Sequence, residues 1–438
     1  MKGKKLILFA TLLVVLAVGW ILSVRMASGK DIVKQQEELV EQADVFASKG
    51  LYVRAIPLYE EALTLQTNQN ERIEEKVLAA YRNYGDADSY LDLVNTRAEA
   101  NRATEEEYLL GAQYYINSWS LNNAMTLIKL GIEQLGTESL IEFYEENRYG
   151  YSLKITNYDE IIPTLDNEMM PVLDGEYWGY IDSMGMVQLS CAYDFATSFN
   201  SSGYAVVSVD GTYYTILENG DRYGLDEVGV EAVYGLTDKY ILAKVNESYS
   251  YYDYDFNCRA ENHQYEDITV NACGVAAVKK DGKWGIITDS GQTVTDFIYD
   301  DVAVNSLGEA FCSQLAMVKQ GGVWYLIDTE GNRVCENSFF DAKAPESSGY
   351  IAVANGDGDW GYIDQTGTLV IDYQYEDALS FSNHLGAVCI LGDWAYISES
   401  NVVVIDEILE DAQPFHNGIA QALFADGEAL ITLSYFEE

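Results

Sequence analysis

The feature of this sequence that most constrains its fold is a unit of about 36 residues that repeats through the C-terminal two thirds. Each unit opens with a tight Gly or Asp-Gly turn followed by an aromatic residue. A unit this short cannot bury its own apolar face, so neighbouring copies must pack against one another. The spacing of the aromatic positions varies little around this length: Trp178, Tyr214, Tyr252 (weak), Trp284, Trp324, Trp360, Trp394 and the eroded Ala429.

The interior of each unit is typical of short strands joined by turns. Asp-Gly between two β-rich runs favours a tight hairpin, because it tolerates positive φ. A second turn follows, as in Asp364-x-x-Gly367, and a third strand then leads to a Tyr-Asp pair. We therefore expect residues 151–438 to form an all-β repeat domain. It would be a β-propeller of seven to eight short blades or, alternatively, an open β-solenoid or meander.

The two ends of the repeat array complement each other. Residues 427–433 form the start of a unit without a Tyr-Asp end, whereas Tyr158-Asp159-Glu160 is an end without a start. An unpaired strand edge invites aggregation, and closing the ring removes it. A propeller therefore predicts that residues 158–162 lie beside residues 429–433 and complete the last blade.

The repeat resembles the bacterial WG-repeat (KWG-repeat) family over nearly the whole of this predicted β domain. The resemblance implies a surface or secreted repeat module, with no chemistry shared by the family and no catalytic residues to carry over. Trp324 and Trp394 depart from the pattern, because Tyr and Ala follow them. The Trp-Gly pair is carried by Trp178-Gly179, Trp284-Gly285 and Trp360-Gly361.

The Tyr-Asp landmark admits a structural and a functional interpretation. In the first, the aromatic residue packs at the blade edge and the acid caps backbone amides. In the second, repeated acids form a carboxylate-lined face for Ca²⁺, a basic peptide or a sugar, and a pair held about 5–10 Å apart could hydrolyse glycosides. The candidate acidic face consists of Asp194, Asp267, Asp301, Asp341, Asp377 and Asp411.

Residues 31–150 show helical periodicity with apolar residues every three to four positions. Their spacing resembles the tetratricopeptide (TPR) repeat, and a weaker copy places Trp119 at the position of Gly50 and Ala124 at that of Ala55. The resemblance implies a concave surface for a peptide or partner protein; a rigid stalk is the alternative. The positions that carry the resemblance are Gly50, Tyr52, Ala55, Tyr59 and Ala62.

Residues 1–30 have the pattern of a signal anchor. Residues 6–24 are uncharged, close to the ~20 residues that span a bilayer as a helix. Lys2, Lys4 and Lys5 precede this run, so the N-terminus is expected in the cytoplasm and the bulk of the chain outside. A cleaved signal peptide is the alternative.

The charge and the scattered reactive residues exclude several classes of function. Five of the 26 basic residues lie before residue 31, leaving 21 against 70 acids, a net of −49. Nucleic-acid binding is therefore not expected. His263, His384 and His416 fall in different repeats, so no metal triad is expected, and exposed turns would explain them. The six Cys residues are expected as buried apolar side chains, with one or two disulfides left open.

One nucleotide-like motif fails its structural context. The sequence Gly356 to Gly361 satisfies G-x-G-x-x-G, but it links two predicted strands and opens no helix. No cofactor is expected. The sequence as a whole predicts a membrane-anchored, extracytoplasmic adapter or ligand-binding repeat protein without catalysis. A glycan-active propeller enzyme using paired acids and a purely structural surface protein are the alternatives.

Overall fold

The computed structural model describes residues 31–162, 169–182, 185–225, 228–237, 239–262, 265–425 and 427–436. The chain divides into two compact units, the first ending at Arg148 and the second beginning at Tyr149. The predicted anchor in residues 1–30 and His263 lie outside the described residues. Within the described part, no helix is both long enough and apolar enough to cross a membrane.

The first unit consists of consecutive helices, and seven are described. Gly50 and Trp119 both have positive φ, at 70° and 61°, in the turns that precede the second and sixth helices. Each lies five residues before a fully buried alanine, Ala55 or Ala124. The helices are α1 (residues 31–47), α2 (Tyr52–Thr64), α3 (Asn70–Tyr84), α4 (Ala87–Glu99), α5 (Glu105–Asn117), α6 (Leu121–Leu135) and α7 (Glu138–Asn147).

The core of this unit combines small apolar contacts with one buried ion-pair group. Ala62 is fully buried in α2, as the interhelical spacing predicts. Arg97 is 2% exposed and contacts Glu74 at 2.8 Å and Glu107 at 3.0 Å. Glu107 also completes a capping box with Thr104 at the start of α5, so one carboxylate serves both the cap and the core.

The second unit begins with strand β1 (Tyr151–Ile155), followed by eight sheets of sequential antiparallel strands, here numbered as blades 1 to 8. Blade 1 contains β2 (Glu160–Ile161), β3 (Met169–Asp174), β4 (Tyr177–Asp182) and β5 (Val187–Tyr193). Blade 2 contains β6 (Phe195–Ala196), β7 (Tyr204–Val209), β8 (Thr212–Leu217) and β9 (Arg222–Tyr223). Blade 3 contains β10 (Ala232–Leu236), β11 (Ile241–Val245), β12 (Ser248–Tyr252) and β13 (Cys258–Asn262).

Blades 4 and 5 have three named strands each, and isolated bridges such as Trp284–Tyr299 and Trp324–Phe339 mark their outer edge. They contain β14 (Asp267–Ile268), β15 (Val275–Lys280), β16 (Lys283–Thr288), β17 (Asp301–Val302), β18 (Leu315–Gln320) and β19 (Val323–Asp328). Blade 6 contains β20 (Asp341–Ala342), β21 (Ile351–Ala354), β22 (Trp360–Ile363) and β23 (Leu369–Tyr375). Blade 7 contains β24 (Asp377–Ala378), β25 (Leu385–Ile390), β26 (Asp393–Ser398) and β27 (Val403–Leu409). Blade 8 contains β28 (Asp411–Ala412), β29 (Ile419–Phe424) and β30 (Gly427–Leu433), with β1 as its fourth strand.

Buried apolar clusters join each blade to the next all the way round. Among the described residues, every one of the eight neighbouring pairs of blades shares such a cluster. The last of these places Leu430 of blade 8 against Ile161, Met170 and Val172 of blade 1. The fold is therefore a closed eight-bladed β-propeller after an α-helical segment, as expected, and the open solenoid is excluded.

The strand that seals the ring is not the one predicted. Residues 151–155 pair with β30, with Tyr151 opposite Leu433 and Ile155 opposite Ala429. Residues 160 and 161 instead open blade 1 by pairing with β3. The reason is that the Tyr-Asp landmark marks the crossover from one blade to the next. The outer strand that completes the earlier blade therefore precedes the landmark in the chain. A strand from the start of the β domain completes the last blade, as predicted, but this strand lies about seven residues earlier in the chain than expected.

The Trp-Gly pair lies in the third strand of its blade, at the point where the fourth and outermost strand forms a bulge opposite it. In blade 6 the register shifts between Trp360 and Tyr362, and the outer strand has extra residues there. A Cβ on Gly361 would meet the carbonyl oxygen of Ile371 at 2.6 Å, so only glycine fits. Trp284, Trp324 and Trp360 are 6–8% exposed, whereas Trp178 and Trp394 are half-buried.

Candidate functional site

In five blades the first acid of the Tyr-Asp landmark stabilises the hairpin turn of its own blade. Asp194 accepts a hydrogen bond from the amide of Gly211 at 3.4 Å. The same contact recurs in other blades because the crossover brings the acid beside the turn. The pairs are Asp159 with Gly175 (2.8 Å), Glu266 with Gly282 (3.1 Å), Asp300 with Gly321 (2.7 Å) and Glu376 with Gly392 (3.0 Å).

The second acid of the landmark begins the first strand of the blade. Its carboxylate accepts a hydrogen bond from the next residue's amide at 2.8–3.0 Å, in Asp267, Asp301, Asp341, Asp377 and Asp411. Asp194 belongs to the other class, so the six predicted acids are not one ring of equivalent positions. In the described part of the chain, no three His, Cys, Asp or Glu side chains are placed to hold a metal ion.

The loops that follow the first strands converge on the ring axis. One pocket is lined by residues of five blades, including Thr197, Leu236, Asn271 and Ser306. The axial loops differ in length from blade to blade. Six residues separate the first two strands in blades 4, 7 and 8, whereas eight separate them in blade 6 and twelve in blade 5. The longer loops are residues 303–314 and 343–350.

The long loop of blade 5 reaches across the axis to blade 8. The hydroxyl of Ser306 lies 3.0 Å from Nε2 of His416, although three blade positions separate the two residues. The carbonyl oxygen of Gly308 accepts a hydrogen bond from the amide of Val270 in blade 4 at 2.8 Å. These two contacts fix the loop over the centre of the ring.

His416 is buried rather than exposed, which corrects the expectation from sequence. It is 6% exposed, and burial lowers its pKa to about 4, so the imidazole is neutral at pH 7. His384 lies 2.9 Å from a carboxylate oxygen of Glu399. The cysteines also differ from expectation: all six are free, Cys258 and Cys273 are exposed, and the other four are half-buried.

A pocket of about 520 Å³ opens beside this loop and is called the axial pocket below. Blades 5 to 8 all contribute to its wall. Short bonds between loops hold the wall together: Ser347 and Ser382 lie 3.1 Å apart, and Asn383 accepts from the amide of Gly418 at 2.9 Å. Its polar lining includes Asn305, Glu309, Cys312, Glu346, Ser347 and His416.

Glu346 is the most unusual group in the axial pocket. Its side chain is buried, with 6% of the residue exposed, and it accepts no hydrogen bond from any residue that the structure describes. Burial, with the neighbouring charge of Glu309, raises its pKa to about 8. Burial also raises the pKa of Glu309, although the Asn305 amide at 3.2 Å opposes the shift.

Cys312 shares this environment, and burial raises its pKa to about 11. The three acidic groups are therefore shifted in the same direction, towards their neutral forms. No lysine or arginine lines the axial pocket. Lys343, in the same loop as Glu346, lies 3.2 Å from Asp377 and 4.7 Å from the centre of the Trp360 ring.

Sequence reasoning did not identify Glu309 or Glu346. A signal was present: the interval from Trp284 to Trp324 is the longest between successive aromatic positions, and it contains the blade 5 insertion with Glu309. Insertions in a repeat map to loops on one face, where binding residues are often found. Of the predicted acidic residues, Asp411 lines an adjoining pocket near Ser306 and His416.

Comparison with known proteins identifies the repeat. The family model for the WG containing repeat matches residues 178–213, 262–284, 284–324 and 360–393. None of the curated proteins is significantly similar in sequence to this chain.

Several solved structures are similar at low sequence identity. Kluyveromyces lactis Hsv2 is 12% identical, with a TM-score of 0.37 over 66% of this chain and 99% of that chain. A eukaryotic initiation factor is 10% identical, with a TM-score of 0.43 over 65% and 88% of the two chains. PorZ, a surface component of the type-IX secretion system of Porphyromonas gingivalis, is 10% identical, with a TM-score of 0.33 over 63% and 42%. By the family match, the C-terminal region of this chain contains WG repeats.

Proposed function

We propose that this chain is a membrane-anchored, extracytoplasmic binding protein whose propeller holds a ligand in the axial pocket. The observation that carries the proposal is the convergence of non-repeated polar side chains, above all Glu309 and Glu346, from loops of unequal length. The repeated acids hold turns and strand starts and are exposed or half-buried, whereas Glu346 is buried and bonds to no described residue.

The energetics of the pocket favour a ligand-binding role. A buried polar group without a hydrogen-bond partner costs about 1–3 kcal/mol of folding free energy. A strained or unsatisfied group of this kind is characteristic of functional sites, where binding supplies the missing partner. Glu346 is 6% exposed in the cavity wall and bonds to no described residue, so its carboxyl group is left to interact with whatever fills the pocket.

A glycan-active enzyme is the second candidate, and the pairing of Glu309 with Glu346 is the observation that favours it. Glycoside hydrolysis needs one carboxyl group protonated and the other ionised. Burial raises the pKa of Glu309 and, together with the charge of Glu309, raises that of Glu346 to about 8. Catalysis also needs the two carboxyl groups held at a defined separation around the scissile bond, whereas binding needs only the pocket and its acceptors, so we place binding first.

The binding role can be tested by obstructing the pocket. Ser347 is exposed at the pocket rim, so Ser347→Trp should fill the entrance without disturbing a core. The immobilised full-length chain, purified in detergent, is incubated with extract of its own cells, and retained small molecules are identified by mass spectrometry. The control is Ser400→Trp, at an exposed turn in blade 7.

We expect at least one compound to be retained by the wild type and Ser400→Trp but lost in Ser347→Trp. Equal retention by all three proteins would contradict a ligand in the axial pocket. Chemical conversion of the retained compound, abolished by Glu309→Gln or Glu346→Gln, would replace binding by the enzymatic alternative.

The anchored location rests on residues 6–24 and the preceding lysines, and a separate experiment tests it. A reporter that functions only outside the cytoplasm, fused after the last residue, should be active, and external protease should remove the propeller from intact cells. Full protection of the propeller would rule out this orientation.

The helical segment is proposed to hold a partner protein. Trp119 supports this role because it is 98% exposed, and tryptophan is enriched at the centres of protein interfaces. A photoreactive residue placed at position 119 should crosslink a partner in intact cells, whereas the same group at the exposed position 61 should not. A stalk without a partner would give the same result at both positions.

A further inference from the structure

The charged side chains in the wall of the axial pocket indicate whether its ligand is positively or negatively charged. Two carboxyl groups, Glu309 and Glu346, lie in its wall, and no lysine or arginine does. An anionic ligand would find no positively charged partner among the described residues of this wall and would meet the charge of Glu309. A bound cation would provide a positive partner, which neither Glu309 nor Glu346 has beside it in the free protein. The pocket is therefore built for a positively charged group.

The dimensions and the donors of the pocket distinguish an organic cation from a metal ion. The volume of about 520 Å³ lies in the range of small-molecule sites, roughly 300–1,000 Å³. Ca²⁺ takes about six to eight oxygen ligands at close range. Among the described residues, no group of three His, Cys, Asp or Glu side chains converges on one point. The pocket fits a ligand that extends beyond its charged group.

The remaining polar groups suit an ammonium group in particular. A primary ammonium has three N–H donors and no acceptor. Glu346 offers an unused carboxylate acceptor, and Glu309 offers the oxygen that Asn305 does not occupy. Ser347 lies at the rim with a hydroxyl oxygen that can accept a third hydrogen bond. A guanidinium would pair with both oxygens of one carboxylate, whereas the three separate acceptors here match the three N–H donors of an ammonium group.

We propose that the axial pocket binds a primary alkylammonium group, with Glu346 as its principal acceptor and Glu309 as its second. This inference rests on the proposed function, because it names the ligand class of the same pocket. A free amine and the side chain of a lysine present the same chemistry. The acidic surface of the chain, with a net charge of −44, would draw either one towards the protein.

Binding should be coupled to the release of protons. The pKa of Glu346 is about 8 in the free protein, so this carboxyl group is mostly protonated at pH 7. An ammonium group nearby favours the ionised form and lowers that pKa. The titratable groups around Glu346 are Glu309, Cys312 and His416, with Cys273 beyond Cys312, and Lys343, which lines an adjoining cavity with Glu346 and pairs with Asp377 at 3.2 Å. His416 is neutral at pH 7, so it neither repels the ligand nor competes for the acids.

The test is titration calorimetry of the full-length chain with 1,5-diaminopentane at pH 7, in two buffers of different ionisation enthalpy. We expect saturable binding, with close to one proton released per ligand. The matched diol, 1,5-pentanediol, should not bind. Glu346→Gln should weaken binding by about 10- to 100-fold, the value of a charge-assisted hydrogen bond, and should abolish proton release. The control, Glu330→Gln, changes an exposed turn acid and should behave as the wild type.

Several results would overturn the inference. Binding of the diamine that is unaffected by Glu346→Gln would place it elsewhere on the acidic surface. Binding of CaCl₂ with the same dependence on Glu346, in place of the diamine, would make the pocket a metal site. If the diamine fails while a different compound is retained in a manner blocked by Ser347→Trp, the ammonium assignment fails and the proposed function stands. If neither the diamine nor any retained compound depends on the pocket, both fail.

Discussion

The backbone amide of Thr156 donates a 2.8 Å hydrogen bond to the carbonyl oxygen of Glu428, 272 residues later in the chain. This bond belongs to the ladder through which β1 completes blade 8 and closes the ring. The closed ring has no free strand edge at the junction of its first and last blades. Ring closure in turn holds the loops of blades 5 to 8 around one axial pocket.

The ladder predicts different effects for two adjacent proline substitutions in β1. Alternation from Thr156 directs the amide of Ser152 towards Thr432, whereas the amide of Leu153 points away from β30. Ser152→Pro should therefore lower the free energy of unfolding of the β domain by about 2–4 kcal/mol, since it removes one bond and leaves a carbonyl unpaired. Thermal unfolding followed by circular dichroism measures the loss, and size-exclusion chromatography detects association.

Leu153→Pro is the matched control, because it places the same ring one residue along the same edge strand. It should be clearly less destabilising than Ser152→Pro. Equal effects of the two substitutions, or no effect of either, would show that β1 does not seal the propeller.

The close approach at the Trp-Gly pair predicts a sharp contrast between two glycines of blade 6. A Cβ at Gly361 would meet backbone atoms at 2.6–3.0 Å, whereas a Cβ at Gly356 would have nothing within 4 Å. Gly361→Ala should cost about 1–3 kcal/mol through overpacking, and Gly356→Ala should be nearly neutral. Urea unfolding of both variants provides the measurement. Similar stabilities would mean that the bowed outer strand can yield.

The helical unit offers a test of independent folding. Ala62 is fully buried in α2, so Ala62→Arg buries an unpaired charge and should destabilise this unit by about 3–5 kcal/mol. The adjacent Glu61 is exposed, and Glu61→Arg is expected to have little effect. Calorimetry should show the helical transition shifted and the propeller transition unchanged. A joint shift of both transitions would contradict two separate cores.

Glu346 predicts a dependence of stability on pH. Its pKa rises from 4.5 to about 8 on folding, so between these values the folded state holds a proton that the unfolded state has lost. Stability should therefore fall as the pH rises from about 5 to 8, with a slope of up to about 1.4 kcal/mol per pH unit. The Glu346→Gln variant should lack this part of the slope. The same slope in both proteins would show that Glu346 titrates normally.

The repeat allowed the propeller fold to be predicted from the sequence. The candidate site lies in insertions that interrupt the repeat, so the repeat pattern did not reveal it. Trp360 and Gly361 were predictable because a packing anchor beside a close backbone approach requires those residue types. The sequence assigns residues 158–162 to the sealing strand when the Tyr-Asp landmark is interpreted as the end of a unit. The structure shows that the landmark spans two blades.

The repeat pattern alone could not identify the residues that line the axial pocket. Glu309 and Glu346 lie in insertions that align with nothing in the other units, and their burial depends on loops from four blades meeting at the axis. The local sequence of His416, Pro-Phe-His-Asn-Gly, is that of a loop and predicts an exposed turn. Its contact with Ser306 comes from a loop three blades away, and a local sequence pattern cannot indicate that contact.

A crystal structure of the chain isolated from its own cells would show directly what occupies the axial pocket. We expect density for a small molecule between the loops of blades 5 to 8, with a group of that molecule within hydrogen-bonding distance of the Glu346 carboxylate. An axial pocket filled only by water, with Glu346 bonded to ordered solvent and any bound molecule elsewhere on the propeller, would contradict the account.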